Sequence, residues 1–145
     1  MMHLTWTRLM SVGNEVLDSE HKALLDMVND IERAIEARDA AALTQAFKLF
    51  EDAVRIHFKN EAGIASAIGH PFEEHKLEHQ YVLDELQSMR NELTSIEGRW
   101  SESAVEHYYG FLSEWTTMHI GDDDMRMKAK LKTYPYDFKP PASPD

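Results

Sequence analysis

At 145 residues the chain is long enough for one domain with a proper hydrophobic core, and its apolar (43%) and charged (28%) shares are those of a globular protein. A formal net charge of −11 argues against nucleic acid or an anionic membrane surface as partner, because both carry negative charge that would repel it. The chain has no cysteine, which excludes disulfides, thiolate metal sites, iron–sulfur clusters and the usual c-type haem attachment.

Met1 to Met10 lacks the basic region and apolar run of a signal peptide, and no stretch approaches the roughly 20 apolar residues of a membrane span. A cytoplasmic protein is expected. Residues 1–17 read as an extended or irregular arm, with Trp6 and Val12 able to pack and Gly13-Asn14 marking a turn. Asp18 or Ser19 suits the N-cap of a first helix whose seam runs His21, Leu24, Val28, Ile31 and Ile35. Charged residues (Lys22, Asp26, Asp30, Arg33) take its other side.

Asp39 caps a second helix with the seam Leu43, Phe47, Phe50, Val54, His57, Glu61, Ile64 and Ile68, which Gly69-His70-Pro71 stops. The third helix has the seam Phe72, His75, His79, Val82, Leu86, Met89, Leu93 and Ile96, and Gly98 closes it. Ser101 caps a fourth with the seam Val105, Tyr108, Leu112, Trp115 and His119, and Gly121 breaks it. Asp122-Asp123-Asp124 open a short helix ending in Lys128, Lys130 and Lys132, a charge order that complements its dipole. The predicted architecture is all-α: an antiparallel up-down-up-down four-helix bundle over residues 1–132, with an N-terminal arm and a short C-terminal helix. Residues 133–145, with Pro135, Pro140, Pro141 and Pro144, read as an extended or disordered tail.

Two pairs on these seams stand at i, i+4: His57-x-x-x-Glu61 and His75-x-x-x-His79. That spacing stacks two side chains on one helix face about one turn apart. In an antiparallel bundle the start of helix one, the end of helix two, the start of helix three and the end of helix four share one level. His21, both pairs and His119 therefore meet at one end. A lone histidine on an apolar face is usually a satisfied core residue. Five of them around a carboxylate, with no lysine or arginine on the seam, would cost more than a domain's net stability of roughly 5–15 kcal/mol. A metal cluster takes up the lone pairs and balances the charge, and imidazole with carboxylate suits transition metals. The ferritin-like di-iron signature Glu-x-x-His is absent from the chain, and the donor set is rich in histidine and poor in carboxylate.

In order and spacing, His21, His57-x-x-x-Glu61, His75-x-x-x-His79 and His119-x-x-x-x-Asp124 resemble the seven-ligand pattern of the hemerythrins. The flanks are similar too: Asp18-Ser-Glu-His-Lys22, His57-Phe58, and Phe111-Leu-x-x-Trp115 ahead of His119-Ile120. The length and the arm with Trp6 resemble the bacterial single-domain members, the bacteriohemerythrins, and the likeness runs from about residue 4 to residue 132. The resemblance implies a centre of two non-haem irons with an oxo or hydroxo bridge. His75, His79 and His119 would hold one iron, His21 and His57 the other, and Glu61 and Asp124 would bridge them. It selects Asp124 over Asp122 and Asp123, which nothing local distinguishes. It also implies reversible dioxygen binding at the iron with two histidines, for storage, delivery or sensing, in a protein that is not an enzyme and is a monomer.

Leu24, Phe58, Trp115 and Ile120 match the family's apolar pocket positions; the alternative is plain core packing, which accounts for Phe58 equally well. Thr116 departs from the family's usual leucine, and its hydroxyl could bond dioxygen or admit water. Milder departures are Ala62, Ala65 and His70; His70 is expected on the surface or at the site's edge, and His3 and His107 on the surface. Competing readings are a di-iron oxidoreductase acting on peroxide or nitric oxide, and an iron store.

Overall fold

The computed structural model describes residues 4–95, 101–120 and 124–140. Four long helices, α1 (Glu15–Glu36), α2 (Ala40–Ala67), α3 (Glu73–Ser95) and α4 (Glu102–Met118), form the expected all-helical bundle. A 3-10 turn (Arg8–Met10) precedes them, and a second (Asp124–Met127) runs into the short α5 (Lys128–Leu131). The backbones approach most closely between α1 and α2, α2 and α3, and α1 and α4. No helix among the described residues is long and apolar enough to cross a membrane.

The predicted seams are the core. Leu24, Val28, Ile31 and Ile35 of α1 pack with Leu43, Phe47, Phe50 and Val54 of α2, Val82, Leu86 and Met89 of α3, and Leu112 of α4. Each such side chain, fully buried, contributes roughly 1.5–3 kcal/mol. A second cluster of Val12, Leu17, Ile64, Ala65, Ile68, Met127 and Leu131 sits where α1 begins and α2 ends. Two local signals behave as read: Asp39 accepts from the Ala42 amide, and Ser101 accepts from the Ala104 amide. Gly69 ends α2 at φ +69, a left-handed conformation that glycine adopts without a Cβ clash. There the Gly69 and His70 amides bond back to Ser66 and Ala65 carbonyls at 3.2 and 2.9 Å.

Three expectations are corrected. Helix α1 starts at Glu15, not after Asp18 or Ser19, because Asn14 caps it through the Leu17 amide. On α4 the buried residues are Tyr109, Leu112, Thr116, His119 and Ile120, while Tyr108 and Trp115 are half-buried. The seam is thus turned toward Tyr109, whose hydroxyl donates to the buried Glu32 at 2.7 Å. Third, residues 133–140 have no regular structure yet are pinned to the bundle. Tyr134 and Phe138 pack on the second cluster, the Tyr136 carbonyl accepts from the Glu15 amide, and the Phe138 carbonyl accepts from the Asn14 side chain. The aromatic residues between the prolines have apolar surface to bury, and this outweighs the proline-rich composition. The expectations placed on His3, Ile96, Gly98, Gly121, Asp122, Asp123, Pro141, Pro144 and the side chains of Leu93 and Val105 lie outside the described residues.

Asp18, passed over as a cap, joins arm and tail. Its carboxylate is 1% exposed and accepts from the Val12 amide at 2.9 Å, the Ser11 hydroxyl at 2.5 Å and the Tyr136 hydroxyl at 2.9 Å. Burial and the adjoining Asp18 push the Tyr136 hydroxyl up to about 12, so it stays a donor at neutral pH. Asp18→Ala leaves these donors without an acceptor and is expected to cost roughly 2–3 kcal/mol in urea unfolding. Unchanged stability would show that arm and tail are held by apolar packing alone.

Candidate metal centre

Every element delivers its part of the cluster to one end of the bundle. α1 places His21 in its second turn, the last third of α2 carries His57 and Glu61, and the start of α3 carries His75 and His79. His119 follows the last residue of α4 in a local π-helical widening shared with Ile120, a distortion frequent at functional sites. Asp124 opens the second 3-10 turn. All seven residues are buried, none more than 7% exposed.

Their donor atoms fall into two groups, each with all its atoms within 4.8 Å of one another: His21, His57, His119 and Asp124, and Glu61, His75, His79 and His119. His119 belongs to both. Each carboxylate also reaches across the groups. Glu61 Oε1 is 2.7 Å from His75 Nε2, and its Oε2 is 3.2, 3.3 and 3.5 Å from Nε2 of His57, His119 and His79. Asp124 Oδ2 is 2.5, 2.9 and 3.3 Å from Nε2 of His21, His119 and His57, and its Oδ1 is 3.2 Å from His75 Nε2.

Of these contacts, those of Asp124 Oδ2 with Nε2 of His21 and His57 are aligned as hydrogen bonds. Both Glu61 oxygens, Asp124 Oδ1 and Nε2 of His75 and His79 are buried with no hydrogen-bonding partner. Atoms so close yet not aligned as donor and acceptor converge on shared points between them. Each buried polar group left so costs roughly 1–3 kcal/mol. A cation at those points takes up all five, and nitrogen with carboxylate oxygen suits first-row transition metals. The donor set therefore fits a metal centre.

The charges follow from burial and neighbours. Burial favours neutral imidazole throughout, and it prevails at His21 and His79, which lie below the ordinary 6.5. At His57, the neighbouring Asp124, Glu20 and Glu61 carboxylates overcome burial and raise the group well above 6.5. Neighbouring carboxylates raise His75 to about 10 and His119 to about 9 against the same opposition. Burial favours protonated Glu61 and Asp124, and repulsion from Asp124 adds to this at Glu61, yet His119 and the other imidazoles around them hold both below the usual carboxylate range.

Glu20, read in the sequence only as an acid in the first turn, has a place at the site. One of its oxygens is 2.7 Å from His57 Nδ1 and the other accepts from Asn60 at 2.5 Å. It thereby fixes the ring with Nε2 toward the cluster. Its position next to His21, one helical step off the seam, was the available signal. Aromatic rings cover the other side. Phe58 lies flat on His79 with centroids 3.5 Å apart, Trp115 stacks on His119 at 5.0 Å, and Phe72 stacks on His75 at 4.7 Å. Phe58 and Trp115 thus cover the His79–His119 side more than His21. Leu24, Thr116 and Ile120 are each 1% exposed, and the Thr116 hydroxyl has no hydrogen-bonding partner. His70 is half-buried and shares with His75 the wall of a cavity of about 600 Å³; His107 is exposed.

Fold and site together define a helical-bundle protein with a histidine- and carboxylate-rich cation site. Residues 12–131 match the hemerythrin HHE cation binding domain, and the chain belongs to that family. It is similar to the bacteriohemerythrin of Pseudomonas aeruginosa (strain LESB58), 26% identical over 125 residues that cover 86% of this chain and 78% of that protein. It is also similar to the bacteriohemerythrin of Stenotrophomonas maltophilia (strain R551-3), 24% identical over 135 residues that cover 92% and 85%.

Metal ligation needs neutral imidazole, whereas His57, His75 and His119 hold protons at pH 7 in the metal-free cluster. Zinc or ferrous uptake at pH 7 is expected to release protons, seen as binding heats that depend on the buffer's ionisation enthalpy, and affinity is expected to rise from pH 6 to pH 8. Because these folded values lie above 6.5, their contribution to metal-free stability is full below about 6.5 and lost as pH climbs through about 9 and 10. Heats that do not vary with buffer would contradict this assignment.

Proposed function

We propose that the chain binds dioxygen reversibly at a centre of two non-haem irons, as a carrier, store or sensor component and not as an enzyme. The observation that supports it most is the pair of buried donor groups that share His119 and are spanned by two carboxylates. His75, His79 and His119 would hold one iron, His21 and His57 the other, with Glu61 and Asp124 between them and a solvent-derived oxo or hydroxo bridge. When bound, such a pair supplies a reversible two-electron couple toward dioxygen.

The chain's own residues supply the rest. His57, oriented by Glu20, presents Nε2 to the cluster. The second apolar cluster, with Tyr134 and Phe138 against it, packs at the same end of the bundle and adds apolar surface there. Reversible binding needs a dry site, because water and protons promote irreversible oxidation. Leu24, one turn beyond His21, and Ile120, next to His119, are the proposed apolar walls beside the two-histidine iron. Phe58 and Trp115 extend the wall over His79 and His119.

Thr116 is the polar exception in this wall. Its buried hydroxyl lacks a partner, so it is free to bond a bound diatomic or to hold a water. This favours one second reading, a di-iron oxidoreductase acting on peroxide or nitric oxide in a wetter pocket. Stopped-flow mixing of the ferrous protein with air separates the two. A long-lived oxygenated spectrum supports the carrier; immediate conversion to the ferric form with turnover of peroxide supports the enzyme. For the carrier, Thr116→Leu is expected to lengthen the lifetime of the oxygenated form severalfold, followed by its absorbance decay. Equal decay rates would remove Thr116 from the account.

A further inference from the structure

A groove of about 420 Å³ runs between α3 and α4, lined by Leu77, Glu78, Tyr81, Val82, Trp115 and Met118. Leu77, Tyr81 and Met118 are 72%, 60% and 52% exposed. They are three of the large apolar side chains that the described surface leaves open, and they converge on one place. Single exposed apolar residues need no explanation, but a convergent set on a cleft does.

The charge around the groove has one sign. Glu74, Glu78 and Glu85 fall on the Leu77–Tyr81 face of α3, and Glu114 stands one turn before Met118 on α4. Lys76, the basic residue beside Leu77, points about 200° round the helix from Glu78. Arg90 turns away to Glu51 of α2, at 2.7 Å. An acidic rim on a chain of net charge −11 disfavours a second copy of the chain and an anionic lipid surface. It suits a protein with an apolar centre ringed by lysine or arginine.

The floor of the groove indicates what such a partner does. Trp115 lines the groove on one side and stacks on His119 on the other, with ring centroids 5.0 Å apart and planes 23° from parallel. His119 is common to both donor groups. One aromatic ring therefore separates the apolar surface from the shared histidine of the cluster.

We propose that this groove docks a basic one-electron carrier protein, with Trp115 and His119 as the electron path to the metal centre. The proposal rests on the di-iron reading above. Each encounter moves one electron from the reduced carrier to one ferric ion, leaving an oxidised carrier and a ferrous ion, with no bond made or broken in the chain. Two encounters return an oxidised pair to the ferrous state.

The probe is a zinc-substituted c-type cytochrome, whose lysine-ringed porphyrin edge has the required chemistry and whose photoexcited state is a strong one-electron donor. Calorimetry measures its binding to the whole protein, metal-free and iron-loaded, and flash photolysis measures quenching of its triplet state by the ferric form. Binding is expected with and without iron and is expected to weaken with salt. Leu77→Ser/Tyr81→Ser, both positions exposed, is expected to weaken it roughly tenfold, with quenching falling in step. Glu78→Gln acts in the same direction, whereas Asp26→Asn and Asp52→Asn, exposed acids on α1 and α2, leave it nearly unchanged. Equal weakening by the groove and remote variants, or self-association of the chain abolished by Leu77→Ser/Tyr81→Ser, would overturn the docking site. Groove-dependent binding without quenching by protein shown to carry iron would overturn the electron path. Failure to load iron would count against the di-iron reading, while the binding measurements still decide the groove.

Discussion

The structure depends on how seven ionisable side chains can be taken out of water together at one end of a bundle. Five imidazoles and two carboxylates are buried there, several with lone pairs directed at one another's neighbourhood and not at any proton. Without a cation that arrangement opposes folding, since unpaired buried polar groups cost free energy on the scale of a domain's whole stability. A cation there would take up those lone pairs and offset the cost. Much of the remaining architecture serves this end: Glu20 and Asn60 orient His57, aromatic rings cover His75, His79 and His119, and the second apolar cluster packs where α1 begins and α2 ends.

The core and the convergence of the site were legible in the sequence because both are periodic. Steps of three and four put His57, Glu61, His75 and His79 on buried stripes, and short loops make consecutive helices antiparallel, which brings those stripes to one level. Long-range features were not legible. Asp18 looks like a cap, since aspartate commonly is one, and only the fold shows its carboxylate joining Ser11 and Val12 of the arm to Tyr136, which is far away in the chain. Glu20 has the composition of a first-turn acid, and its contact with His57 crosses between helices. The tail was misjudged because proline content weighs heavily in composition, while Tyr134 and Phe138 provide the apolar area that decides the outcome. On α4 the seam was placed one residue off, at Tyr108 instead of Tyr109, since adjacent tyrosines give periodicity nothing to choose between.

The arm and tail also tie the site's surroundings to the chain ends. Asp18 is one turn before His21, so the network that fastens Ser11 and Tyr136 also fixes the start of the helix that carries that histidine. Rigid support from outside the cluster is what a metal centre requires if its geometry is to persist through changes of ligand and charge.

The central proposal is that one buried cluster holds two metal ions with the Glu61 and Asp124 carboxylates between them. Anaerobic titration of metal-free protein with ferrous iron, followed by elemental analysis after desalting, tests it most directly. The account predicts two irons per chain, with Glu61→Ala weakening retention of both. A plateau at one iron per chain, or two irons held as firmly without the Glu61 side chain, would contradict it.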